Sequence, residues 1–317
     1  MRLREIQKMN VVGCVLICCA LSACGGGNSA DPNATNPEGG SASGFRLVVR
    51  TVEDVDKGPA QITDLVVETG DTSVLNYALS KYPQLEALKL WAGEYVEHED
   101  ELHRLYGELK QHVRLEILGS VVSRRALMTL LSPVRLERIK LTRCTVYRPS
   151  DGTPEHLSPA DRDSLDLNVV SASEVFFDEI AMLYRGSSIR HLGIRLSSWF
   201  DDSKLHTLSS FGTVRQLTLA DTAVRFRGNG SVPGFQLRGL TDLTLRSVTF
   251  GSDVNITNDS MPDLRNIVLE NCVLSDSFAR AIADHKEIRK LEGSDGTVFS
   301  KSEKAMLLSR DPPIIIE

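Results

Sequence analysis

The sequence lacks the short motifs that usually carry enzyme chemistry. It has no G-x-S-x-G, no H-E-x-x-H and no phosphate-binding glycine loop. The seven histidines are scattered, and only His98 and His103 lie close, with no cysteine or third histidine beside them to complete a zinc set. They read as surface residues. Acids such as Asp201-Asp202 and Glu99-Asp100-Glu101 read as solvated helix starts rather than acid/base pairs. These gaps argue against an enzyme, and no metal or cofactor is expected. Basic charge is also short: the net charge of −6 argues against a broad phosphate-reading face, and so against nucleic acid as a partner. Four of the six cysteines, Cys14, Cys18, Cys19 and Cys24, fall within the first 24 residues, leaving only Cys144 and Cys272 beyond. Hydrophobic content is not lacking; at 41%, with 25% charged residues, it is enough to bury a core.

The start of the chain pairs a basic lead (Arg2, Arg4, Lys8) with thirteen mostly apolar residues, Val11 to Ala23. A spanning helix needs about 20, so this run fits the apolar part of an export signal. Removing residues 1–23 leaves 33 basic and 41 acidic residues, a balance of −8. The end of the run, Leu21-Ser22-Ala23-Cys24, resembles a bacterial lipobox. That resemblance implies cleavage before Cys24, acylation of its thiol, and a hold on the membrane through the N-terminal lipid. The alternatives are an ordinary signal peptide or a buried N-terminal helix. Residues 24–44 continue in Gly, Ser, Asn and Pro with almost no large apolar side chain, and read as a flexible tether. About 20 such residues reach roughly 25 Å on average. By the same resemblance, Gly25 rather than Asp after the cysteine implies the outer membrane where the source has one, and the cell membrane otherwise.

From residue 45 onward one pattern recurs. It is clearest in Leu264-Arg-Asn-Ile-Val-Leu-Glu-Asn-Cys-Val-Leu274, where Leu264, Ile267, Leu269, Cys272 and Leu274 fall in the frame L-x-x-L-x-L-x-x-C/N-x-L. Copies open at Ile62, Leu85, His112, Leu136, Arg162, Ile189, Val214, Leu240, Leu264 and Ile288, at intervals of 23 to 27 residues. Ten copies at such intervals resemble a leucine-rich repeat (LRR) array, whose period runs from about 20 to 29. The resemblance implies an α/β solenoid, a horseshoe of about ten irregular repeats with a parallel concave sheet, spanning residues 45–317 with terminal caps. A non-repeating α/β domain with evenly spaced strands is the alternative.

Each L-x-L reads as a short strand with alternate side chains inward. The slot three residues later wants a small group that can satisfy backbone, as Cys144, Thr222 and Cys272 do. Cys144 and Cys272 share this slot five repeats apart. At about 4.8 Å per strand they stand roughly 24 Å apart, too far for a disulfide, so both should be free and buried. Helical periodicity appears over residues 74–82, 101–109, 124–131, 174–184 and 275–282, with Asp100 and Ser275 or Asp276 as caps. Phe45–Val52 reads as an opening strand. Residues 225–239 and 251–262 read as loops, and Ser300 with Glu303 as the capping box of a last helix. Trp199 and Phe250 take inward slots. No role follows for the tail Pro312–Glu317.

The outward strand positions form columns. One runs Asp64, Ala87, Arg114, Arg138, Ser164, His191; the next Val66, Lys89, Glu116, Lys140, Asp166; the third Glu68, Trp91, Leu118, Thr142, Asn168. They gather Lys89, Arg114, Arg138 and Lys140 beside Trp91 and Leu118, a basic patch with an aromatic in an acidic protein, as at interface hot spots. A solvated sheet face would look similar. The expected function is a lipid-anchored module that binds a protein or glycan ligand on the concave face. A structural envelope protein without a discrete ligand is the other reading.

Overall fold

Alternation decides the secondary structure. An L-x-L segment can bury its leucines on only one face of a pleated strand, and a 3.6-residue rhythm then covers that face with a helix. The computed structural model describes residues 45–91, 93–95, 99–109, 112–132, 135–147, 161–226, 236–250, 254–294, 296–310 and 312–317. The Leu21–Cys24 segment, the tether, His98 and His156 lie outside the described residues.

In chain order the strands begin with β1 (Arg46–Val49), β2 (Asp64–Val67), β3 (Ala87–Trp91), β4 (Glu94–Tyr95) and β5 (Arg114–Leu118). There follow β6 (Val121–Ser123), β7 (Arg138–Thr142), β8 (Thr145–Tyr147), β9 (Asp161–Val170) and β10 (Ser188–Ser197). The last are β11 (Thr213–Thr222), β12 (Asp242–Arg246), β13 (Asn266–Glu270), β14 (Lys290–Ser294) and β15 (Ile315–Ile316). The helices are α1 (Val52–Lys57), α2 (Thr72–Lys81), α3 (Glu99–Gly107), α4 (Arg124–Leu131), α5 (Glu174–Leu183), α6 (Leu205–Leu208), α7 (Asp276–Asp284) and α8 (Lys301–Leu308). The fold is α/β: twelve strands make one sheet in chain order, and β4, β6 and β8 make a second, three-stranded one. Every pairing is parallel.

Ten of the twelve strands are the ten copies, and the other two are the ends. β1 is the opening strand, though it stops at Val49, because Thr51 caps α1 and accepts from the Asp54 amide. The tail supplies β15, which pairs with β14 through Lys290–Ile315 and Leu291–Ile316. Gly293, which lacks the third leucine of its copy, is covered by Phe299; a Cβ there would lie 2.6 Å from the ring.

Leu65, Leu88, Leu115, Ile139, Leu167, Leu192, Leu217, Leu243, Ile267 and Leu291 form one buried row, and the helices pack on it. The fifth copy needs correction. Arg138 pairs with Asp166 and Asp166 with His191, so the columns read Asp166, Asn168 and Val170 there, not Ser164, Asp166 and Asn168. A slip of two residues keeps the same faces, since Leu165, Leu167 and Val169 are all buried, and period-two alternation cannot detect it.

The strand exits share a device. Gly119, Arg143, Ser171, Leu196, Asp221, Ser247 and Asn271 all have φ between 50° and 61°. For a non-glycine residue this conformation costs about 1–2 kcal/mol. It aims the amide at the next strand: Arg143 donates to Val170 O (2.9 Å), Ser171 to Arg195 O (2.8 Å) and Ser247 to Glu270 O (2.8 Å). Inside the turn the small slot works as expected at the two cysteines, Cys144 Sγ donating to Ile117 O and Cys272 Sγ to Leu245 O, each at 3.3 Å, but not at Thr222, whose buried Oγ1 has no hydrogen-bond partner among the described residues. Both thiols are free, and burial pushes that of Cys144 up to about 12.

Ser275 caps α7. Asp100 does not cap α3: it lies inside the first turn and pairs with Arg125. Trp199 is half-buried, its Nε1 donating to Ala172 O (2.7 Å), while the neighbouring Phe200 fills the core. Between α4 and α5, Arg124 grips the buried Glu179 carboxylate through two bonds of 2.8 and 2.7 Å. At α8, Ser300 Oγ accepts from the Glu303 amide (3.1 Å) and Glu303 accepts from the Ser300 amide (2.6 Å). Ser300→Ala should therefore lower stability by about 1 kcal/mol in urea unfolding. An unchanged midpoint would mean that α8 frays independently of the array.

Candidate functional site

The face of the sheet opposite the leucines carries the columns. Over β1 to β9 it sinks into a groove of about 460 Å³. The floor is Val66 and Ala87, only 4% and 8% exposed although they point away from the leucine core. Small apolar side chains at these two points sit below the longer ones that surround them. The walls are Arg46, Asp64, Lys89, Arg114, Glu116, Arg138, Lys140 and Asp166, five cations against three carboxylates.

The structure brings together the residues picked from sequence. Lys89 and Trp91 lie on β3, Arg114 and Leu118 on β5, and Arg138 and Lys140 on β7, in direct register. It also shows how far their charges are already spent. Glu116 sits between the two lysines, 3.1 Å from Lys89 Nζ and 3.2 Å from Lys140 Nζ. Burial alone would raise the Glu116 carboxyl, but the hydrogen bonds from Lys89 and Lys140 outweigh it and hold the group below its usual value. Arg114 reaches Asp64 at 4.0 Å. Among the described residues, Arg138 and Arg46 make no ion pair, so the patch is two free guanidiniums on a partly neutralised wall.

Trp91 is 42% exposed and stands beside Leu118 across the β3–β5 pair. The Lys89 ammonium lies 5.6 Å from its ring centroid, a cation–π contact that occupies one side of the indole. Arg46 was not singled out from sequence. Its parallel pairing with Asp64 places it in the first column, which became legible once β1 was seen to join the sheet in register.

Further along the same face the polar groups satisfy one another. Arg190 holds Asp166 through bonds of 2.9 and 2.6 Å, His191 Nε2 is 2.9 Å from Thr218 Oγ1, and Asn266 donates to Asp242 (2.8 Å). Burial lowers the His191 value first, Asp166 opposing. No hydrogen bond joins Asp166 to His191 among the described residues, so the three do not form a relay.

The histidines are the clearest departure from the sequence reading. His112 and His285 are buried, not surface residues. His112 occupies the opening slot of its copy, where Ile62, Leu85 and Leu136 stand in neighbouring units, and His285 is held through Nε2 to Met261 O (2.9 Å). Among the described residues there is no cluster of three or more His, Cys, Asp or Glu able to hold a metal, and no helix long and apolar enough to cross a membrane. No family model matches the chain, and no curated protein matches it.

Proposed function

We propose that this chain is a lipid-anchored leucine-rich repeat protein of the bacterial cell envelope, and that it binds a protein or glycan ligand on the concave face of its horseshoe without catalysing a reaction. The observation that carries the reading is the groove, an open-face depression floored by Val66 and Ala87, with Arg138 and Arg46 in no ion pair among the described residues and Trp91 exposed beside it. Large aromatic and arginine side chains are the residues on which interface energy concentrates. The strand-by-strand register, the hydrogen-bonding small slot and the period of about 25 residues support the leucine-rich repeat assignment. The Leu21–Cys24 segment supports the anchor.

A second reading, a structural envelope protein with no discrete ligand, draws on Glu116 neutralising Lys89 and Lys140 within the face itself. In a bacterial host, the wild type should be labelled by palmitate, globomycin should leave a labelled but uncleaved precursor, and Cys24→Ala should carry no label. A soluble, unlabelled wild type would remove the anchor.

A further inference from the structure

We infer that the groove takes an acidic, extended protein segment: carboxylates set against Arg46 and Arg138, and one apolar side chain over Val66 and Ala87. The inference rests on the reading of this face as the ligand site and narrows its ligand.

Charge selects the sign. Arg46 and Arg138 stand in one column, four strand spacings apart through β2, β3 and β5, a span of about 19 Å. An extended chain of about six residues covers that length. Guanidiniums bind carboxylates through paired hydrogen bonds, so each end can hold one acidic side chain. Between them Arg114 reaches Asp64 at 4.0 Å and the two lysines share Glu116, so these charges offset one another around the apolar Val66 and Ala87.

A peptide fits this better than a sugar chain. A sugar would stack on a flat aromatic face, and Lys89 stands against one face of Trp91. The Val66–Ala87 floor, apolar and set among longer side chains, suits an aliphatic side chain instead.

The test uses the full-length protein in detergent with three fluorescein-labelled or unlabelled probes: a heptapeptide of six glutamates around a central leucine, the same peptide with glycine at the centre, and polygalacturonate as the anionic sugar polymer. By anisotropy at low salt, the leucine peptide should bind more tightly than the glycine one, and added salt should weaken both. Arg138→Ala should weaken the leucine peptide by roughly ten-fold. Lys301→Ala, a cation on α8 far along the chain, should change nothing. Glu116→Gln, which frees Lys89 and Lys140, should tighten binding a few-fold, and that gain cannot come from damage to the fold. Polygalacturonate bound with the same variant dependence, and peptide not bound, would overturn the peptide inference while leaving the face as a ligand site. Equal binding of the two peptides, indifference to Arg138→Ala, or no binding of any probe would also overturn it; the anchored-protein reading is then judged on its own by the Cys24 labelling.

Discussion

Leu243→Ala should lower the stability of the array by about 2–5 kcal/mol, whereas Thr244→Ala, one residue further along the same strand, should cost well under 1. Leu243 is fully buried in the middle of the leucine row, in register with Leu217 on one side and Ile267 on the other. Truncation removes its contacts and leaves a cavity that strands fixed on both sides cannot close. Thr244 lies on the open face, where the neighbouring Thr218 and Val268 are only half-buried. Leu217→Ala should cost a similar amount, and the double mutant should fall short of or exceed the sum, because the two residues share one packing layer. Urea unfolding followed by circular dichroism measures all of these. Leu243→Ala melting like the wild type would mean that the inward register is wrong. An early, partial transition in the mutant would mean instead that units adjoining β12 unfold apart from the rest, as nearest-neighbour coupling in arrays allows.

That prediction was available from sequence because the leucine rhythm reports burial directly. Helices were legible for the same reason: residues 124–131 were bounded as they are found, and 174–184 ends one residue beyond α5. The failures have physical sources. The register of the fifth copy slipped by two because alternation is blind to even shifts. The left-handed strand exits went unseen because Arg143, Ser171, Leu196 and Ser247 carry no composition signal; only Gly119, Asp221 and Asn271 do. The tail Pro312–Glu317 gave no clue because β15 is two residues long and its partner strand lies before α8.

The candidate site was half legible. Columns read from sequence placed Lys89, Arg114, Arg138 and Lys140 together, and the same columns also held Glu116 between the two lysines. Counting cations without their cross-strand neighbours made the patch look more basic than it is. Strands about 4.8 Å apart let a central carboxylate reach a lysine on either side, so a Lys-Glu-Lys column predicts its own neutralisation. Depth was not legible: that Val66 and Ala87 make a floor depends on how their larger neighbours stand around them.

His112 should make the protein lose about 3 kcal/mol of stability as pH falls from 6.5 to about 4. Its ring is buried in a slot that holds Ile62, Leu85 and Leu136 in neighbouring units. Tyr106 meets it edge-on at 5.1 Å between centroids, and neither ring nitrogen has a hydrogen-bond partner among the described residues. Burial, aided by the nearby Arg114 charge, drives the group from 6.5 down to about 4. The folded value is depressed, so between those two pH values the unfolded chain takes up a proton that the folded one refuses. The stability is therefore fully present above 6.5, declines through the window and levels off below about 4. His191 and His285 are lowered too and add the same sign, so the wild-type slope alone does not isolate His112. His112→Leu does. The leucine restores the aliphatic side chain of the sister slots and removes buried polar atoms left unpaired, so it should equal or exceed the wild type near pH 7 by up to about 3 kcal/mol. Its advantage should then widen by about 3 kcal/mol toward pH 4 in urea titrations at stepped pH. Two parallel pH curves would show that His112 titrates alike folded and unfolded, and that a partner such as a buried water carries its proton inside the core.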